Sequence, residues 1–296
     1  MTAELLETHF GFSESPFSLL PDPDFLFWSP LHKRAYQVLE YGLMSRAPVT
    51  VLTGEVGAGK TTLLQKLLRS VGDDVTVGLI SNAHANQGAL MGWIAHALDI
   101  ALPRSGDPIE IFKAFQEFVL NEYGEGRRVG LIIDEAQNLG AEQLEELRML
   151  TNMNSGKDGL LQLVLVGQPE LRELLALPEL RQFAQRVSVF YHLEPLDEEG
   201  VADYVRHRLK HVGGTGEEFT EGALAGVFKT SEGVPRLVNK MCELALVYAA
   251  SDGLQVIDEG VIGEMLADGL MIESALPAEA GSIRFFRAQQ FRQAAE

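Results

Sequence analysis

The chain has 296 residues, 46% hydrophobic and 22% charged, a composition that supports a substantial buried core and excludes a disordered chain. Its formal net charge of −18 repels nucleic-acid phosphates, so DNA is disfavoured as a partner unless a local basic patch gathers it. A single cysteine, Cys242, rules out an intramolecular disulfide framework.

No apolar run approaches the roughly 18 residues that cross a bilayer, and the start MTAELLETHFGF has neither the basic residues nor the apolar run of a signal peptide. A cytoplasmic location is the expectation. Residues 9–28, HFGFSESPFSLLPDPDFLFW, mix aromatics with prolines and lack a helical period. They read as an extended but ordered arm, since so many aromatic rings need a surface to pack against. A helix over about 30–45 follows, capped by Ser29 with Pro30 in its first turn.

Short apolar runs then alternate with helical patterns. Strands are expected at 49–54, 75–81, 129–134, 160–167 and 187–193. Helices are expected from Lys60 through KTTLLQKLLRSV, around 87–98 and 108–123, and over 141–153 with apolar positions at 144, 147, 150 and 153. Nearly all-apolar strands alternating with helices specify an α/β fold, a parallel five-stranded sheet flanked by helices. From about 195 the strands stop, and helical patterns at 197–211, 220–229, 235–250 and 258–266 make a small all-helical domain. Cys242 falls in one of these runs, LVNKMCELALVYAA, as a buried apolar thiol. The boundaries read as 1–48 for the arm and first helix, 49–194 for the core, 195–270 for the helical domain and 271–296 for a tail. That tail carries three arginines and three phenylalanines after Pro277, and reads as a loosely docked terminal helix, with a membrane-touching or partner-binding helix as the alternative.

The chemistry is concentrated in two stretches. Gly54-Glu55-Val56-Gly57-Ala58-Gly59-Lys60-Thr61 fits G-x-x-x-x-G-K-[ST] in full, with Thr62 next, and it lies between a strand and a helix. Glycines let backbone N–H groups wrap phosphates, and the helix N-terminus adds its positive end. Lys60 can reach the β- and γ-phosphates of ATP, and Thr61 offers its hydroxyl to magnesium. In VGLIIDEAQNL two carboxylates follow a strand directly. Strand C-termini of a parallel sheet line the ligand crevice, which puts Asp134 at the magnesium and Glu135 where it can activate water.

Gln168, in VGQPEL after the fourth strand, can hold water or sense the γ-phosphate, or serve only in a turn. Arg181 and Arg186, before the fifth strand, can bridge to their own helix or project to a neighbouring subunit's nucleotide. Arg236, in EGVPRLVNK, can reach back from the helical domain. The seven histidines show no metal-ligand spacing, so no metal beyond nucleotide-bound magnesium is expected.

With these motifs in place, the chain resembles the AAA+ ATPase domain of general secretion pathway protein A and its relatives, ATPases encoded with exosortase, polysaccharide-export and pilus systems. The resemblance runs in order through HFGFSESPFSLLPDPDFLF, LTGEVGAGKTTL, LIIDEAQNL, LVGQPEL, QRVSVFYHLEPL and GVPRLVNKMCELAL, about 5–270. It implies a P-loop AAA+ core with a helical lid, assembled as a homo-oligomer with ATP and magnesium at subunit junctions. By the same resemblance Arg186 is the finger, Arg236 the lid's sensor and Gln168 the sensor after the fourth strand, and the arm helps to form the adenine pocket. The full secretion protein continues into a membrane span and a peptidoglycan-binding region, whereas this chain stops shortly after the lid. The expectation is therefore a cytoplasmic ATPase working with membrane-bound export proteins, with a DNA-binding AAA+ regulator resembling transposition ATPases as the alternative.

Overall fold

A computed structural model describes residues 2–45, 47–81, 90–103, 106–155, 158–269 and 284–287. In chain order the elements are α1 (Thr2–Phe10), α2 (Pro30–Met44), β1 (Val49–Gly54), α3 (Lys60–Ser70), β2 (Val75–Ser81), α4 (Leu90–Ala97) and α5 (Pro108–Gly124). Next come β3 (Arg128–Ile133), α6 (Ala141–Leu150), the short hairpin β4 (Asn154–Ser155) and β5 (Asp158–Gly159), β6 (Leu161–Gly167), α7 (Glu170–Leu175), α8 (Arg181–Ala184) and β7 (Val187–Leu193). The remainder is α9 (Glu198–His211), α10 (Glu221–Ser231), α11 (Pro235–Ser251), α12 (Glu259–Ala267) and β8 (Arg284–Arg287). The chain divides into two compact units, each with its own apolar core.

One unit, built from Lys33–Gly54 and Leu63–Leu193 with β8, contains the sheet. Its strand order is β7-β1-β6-β3-β2-β8; the first five are parallel and β8 is antiparallel. β1 (VTVLTG) and β6 (LQLVLVG) are buried along their whole length, as strands covered on both faces and paired on both sides must be. β7 lies at one edge and alternates partly buried with exposed positions at its start, so it reads as a half-covered strand. Val51, Ile80, Leu131, Ile133, Leu163 and Leu165 from the sheet share a core with Ile94, Phe115, Leu147 and Phe183 from the helices. Local signals set the helix starts: the Asp107 carboxylate accepts the Ile109 N–H at 2.9 Å, and Gln143 reaches back to accept the Gly140 N–H at 2.7 Å.

The tail departs from the expected terminal helix. Residues 284–287 form a strand that pairs with β2, Leu79 opposite Phe286. The outer edge of β2 otherwise presents unpaired N–H and C=O groups, and a β8 strand satisfies them where a helix would not. The rest of the tail lies outside the described residues.

The second unit comprises Met1–His32, Glu55–Thr62 and Glu194–Ala278. Four helices, α9 to α12, pack around Val205, Leu209, Phe219, Leu224, Met241, Leu246 and Met265, and the N-terminal segment supplies Leu6, Phe12, Phe17 and Phe25 to the same core. The aromatic arm therefore has its packing partner. Its first residues form α1, which the sequence pattern does not announce; a nine-residue helix is marginal alone and is held by burying Leu6 in the helical unit.

Arg208 ties the arm down. Its side chain is buried, only 6% exposed. Its Nε donates to the Pro16 carbonyl at 2.5 Å, and its guanidinium lies 4.4 Å from the centre of the Phe25 ring. Asn239 donates to the Ser18 carbonyl at 3.4 Å and accepts from the Tyr204 hydroxyl at 2.7 Å. Cys242 is fully buried, and burial, reinforced by Glu243, pushes its thiol well above the usual range, so it stays protonated and inert.

Candidate active site

The phosphate-loop sequence occupies Glu55–Thr62 in the helical unit and leads into α3, whose first residue is Lys60. Gly57 and Gly59 hold φ of +84° and +97°, conformations that side chains resist. A methyl group on Gly57 would stand 2.3 Å from Cβ of Arg236, so glycine is required there twice over. The loop is internally braced. Ala58 N–H donates to the Glu55 carbonyl at 3.1 Å, and the Lys60 ammonium donates to that same carbonyl at 2.9 Å. Lys60 is buried, whereas Thr61 is exposed and Thr62 partly so. A tight glycine cradle with N–H groups at a helix start, a lysine and a hydroxyl is the donor set that suits phosphates with a hard cation.

Two supports meet the loop within the same unit. At the start of α11, the Arg236 backbone N–H donates to the Gly57 carbonyl at 3.2 Å, so the segment GVPR abuts the loop. Gly233 just before it packs on a different segment: at φ +75°, a Cβ there would stand 1.8 Å from the Leu196 carbonyl oxygen. The Arg236 side chain is exposed.

The second support is His32, which sequence reasoning missed. It is buried in the first turn of α2; Ser29 caps that turn, its hydroxyl accepting the His32 N–H at 3.2 Å. Imidazole Nε2 lies 3.0 Å from the Ala58 carbonyl and Nδ1 lies 2.8 Å from the Ser29 hydroxyl. A carbonyl only accepts, so Nε2 carries the proton and Nδ1 accepts from Ser29. Burial holds the His32 pKa below the ordinary value, with the Ala58 bond opposing in part, so the ring is neutral.

A pH dependence follows. Below about pH 6.5 the unfolded chain takes up a proton that the folded ring refuses, so stability falls as pH drops towards the folded pKa. His32→Gln removes the titration while retaining a donor. Calorimetry between pH 7.5 and 5 should show the wild type's melting advantage over this variant shrinking as pH falls. A difference that stays constant across this range would count against the neutral, loop-bracing ring.

In the sheet unit, parallel register brings the C-terminal ends of β1, β3 and β6 to one edge: Thr53 aligns with Gly167, and Ile133 with Leu165. Asp134 and Glu135 follow β3 there. Asp134 is buried; its N–H donates to the Ile80 carbonyl at 2.8 Å and its Oδ1 accepts the Glu135 N–H at 3.0 Å. Glu135 has φ +56°, a left-handed conformation uncommon for a non-glycine residue and one that turns the chain sharply after the strand. Its Oε2 accepts from Gln168 Nε2 at 2.9 Å and from Gln137 Nε2 at 2.5 Å. The structure thus joins two residues that the sequence singles out, Glu135 and Gln168, and adds Gln137. A dipeptide of catalytic type draws the eye to its carboxylates, and the amide two positions on carries no motif of its own.

Arg186 is partly exposed immediately before edge strand β7, and its Nη2 donates to the Asn152 side chain. Arg181 is exposed on α8. Among the described residues there is no group of three or more histidine, cysteine or acidic side chains placed to hold a metal ion. Among them, too, no helix is long and apolar enough to cross a membrane.

Residues 43–175 match the model of an AAA domain. General secretion pathway protein A of Aeromonas hydrophila is 38% identical over 253 residues, covering 86% of this chain and 46% of that protein. An uncharacterized HTH-type transcriptional regulator of Methanocaldococcus jannaschii is 25% identical over 227 residues, 72% of this chain and 54% of that protein. The chain thus spans about half the length of the curated relatives it matches. The crystal structure of Cdc6p from Pyrobaculum aerophilum superposes with a TM-score of 0.66 at 22% identity, covering 89% of this chain and 74% of that one, a likeness of fold. The parallel sheet, the helical C-terminal region and the matched AAA domain agree: the chain has the AAA+ P-loop fold and resembles general secretion pathway protein A.

Proposed function

We propose that this chain binds Mg-ATP and hydrolyses it to ADP and phosphate, as an oligomeric switch or motor for assembly or regulation of a secretion, pilus or exopolysaccharide-export system. The observation that carries the hydrolytic assignment is Glu135. Its carboxylate is held by two amide donors at the C-terminal edge of the sheet, in a chain that also carries a complete phosphate loop. The resemblance to general secretion pathway protein A supports the export role, with membrane-bound export proteins as partners and a cytoplasmic location.

In this scheme Gly54 to Gly59, with Glu55, Val56 and Ala58 between the glycines, wrap the phosphates through the backbone, and Thr62 continues the first turn of α3. Lys60 takes the β- and γ-phosphate oxygens. Thr61 and Asp134 would each offer an oxygen to magnesium, which when bound would neutralise charge on the phosphates. A water oxygen attacks the γ-phosphorus as the bond to the bridging oxygen breaks; ADP leaves with that electron pair, and the water's proton passes to Glu135. Gln168 orients the water, Arg186 of a neighbouring copy offsets charge on the transferring group, and Arg236 senses the γ-phosphate.

The HTH-type regulator among the relatives favours a second function, an AAA+ regulator that binds DNA. The net charge of −18 opposes it. Light scattering on Glu135→Gln protein with Mg-ATP, with and without duplex DNA at moderate salt, separates the two. A discrete oligomer that ignores DNA is expected. Large assemblies that appear only with DNA would overturn the export assignment in favour of the regulator.

A further inference from the structure

Three hydrogen bonds close a ring at the sheet edge. Gln137 Nε2 donates to Glu135 Oε2 at 2.5 Å, Gln168 Nε2 donates to the same oxygen at 2.9 Å, and Gln137 Oε1 accepts the Gln168 backbone N–H at 3.0 Å. Gln137 thus uses both ends of its amide, one on the carboxylate after β3 and the other on the backbone after β6. Gly167 makes room for it, since a Cβ there would stand 2.8 Å from Gln137 Oε1. Among the described residues, Glu135 Oε1 accepts no hydrogen bond. The carboxylate therefore has one oxygen held by two donors and the other left for a proton.

We infer that Gln137 is a positioning residue for hydrolysis: it fixes the rotamer of Glu135, keeps Oε1 as the basic oxygen, and ties that rotamer to the backbone that carries Gln168. This rests on the assignment of Glu135 as the base. An isolated carboxylate on a left-handed turn would rotate among several wells, and only a fraction of them would face the water. Gln168 alone cannot supply the same restraint, because its own backbone is pinned through Gln137. A turn-stabilising amide with no catalytic consequence would need only the bond to the Gln168 N–H. The donor end, aimed at the carboxylate, is what that plainer role leaves unexplained.

Gln137→Ala and Gln137→Glu test the two ends separately. The alanine variant loses both bonds, and its kcat should fall by about 10–100-fold while KM and the affinity for a fluorescent ATP analogue hold. The glutamate variant keeps the acceptor for the Gln168 N–H and replaces the donor with a second carboxylate. Two carboxyl groups in contact cannot both ionise easily, so the acidic limb of its kcat–pH profile should move up by about one unit or more, and the limb of the alanine variant should not. Near-wild-type kcat in both variants, or identical unshifted pH profiles with losses matching their loss of melting temperature, would overturn the inference. Glu135→Gln run alongside keeps the two claims apart. If that variant hydrolyses ATP as fast as the wild type, the base assignment itself fails, whatever Gln137 does.

Discussion

Glu135→Gln should lower kcat by about 10²–10⁴-fold while leaving ATP binding intact. The substitution is isosteric, so the left-handed turn at φ +56° and a contact with Gln168 can survive it, and what disappears is the basic oxygen. A loss of that size corresponds to about 2.7–5.5 kcal/mol of transition-state stabilisation, the contribution of a well-placed general base. Phosphate release under saturating Mg-ATP measures the rate, and a fluorescent nucleotide measures binding on the same preparation. A variant within about threefold of wild type would remove Glu135 from the mechanism. Loss of binding together with rate would instead mark a structural failure, because uniform loss is not the signature of a missing base.

Arg186→Ala is the other large effect, expected to reduce kcat by about 10³-fold or more if its guanidinium acts on a neighbour's nucleotide. The side chain stands before β7, the edge strand, and binds Asn152 of its own chain, a bond that the proposed engagement of a second copy would have to release. The discriminating measurement mixes two inactive variants. A site with the base from an Arg186→Ala chain and the arginine from a Glu135→Gln chain is complete. Mixtures of the two should therefore recover activity that neither has alone, rising with protein concentration. A mixture no more active than the sum of its parts would mean that each site takes its arginine from its own chain or needs none. Retention of normal, concentration-dependent hydrolysis by Arg186→Ala would dispose of the finger role directly.

The strands at 49–54 and 75–81 were legible because burial on both faces leaves a nearly continuous apolar signature, and 187–193, though half-covered at the edge, also falls where its apolar residues put it. The glycine loop was equally plain, since phosphate binding by backbone N–H demands residues that little else demands in that order. Gln137 and His32 were not legible. Each acts through a hydrogen bond to a group distant in sequence, Gln137 to Gln168 and His32 to Ala58, and glutamine and histidine occur at too many surface positions for residue type to signal it. The strand at 284–287 is a third case: what makes it a strand is the open edge of β2, and no local pattern records an edge some 200 residues away. The helix at 2–10 is similar, its period too short to stand out until α11 supplies a surface for it.

The fastening of the arm to the helical unit governs the order in which this chain can mature on the ribosome. Phe17 and Phe25 leave the exit tunnel early, yet Arg208 and His211, which meet Phe25, and Phe219, which meets Phe17, emerge roughly two hundred residues later. At about 5–20 residues per second, those rings wait some ten seconds or more for their partners, a period in which the sheet can already close. Such a segment is a natural target for holding chaperones. A nascent chain arrested before α9 should present it continuously, however well the sheet has folded.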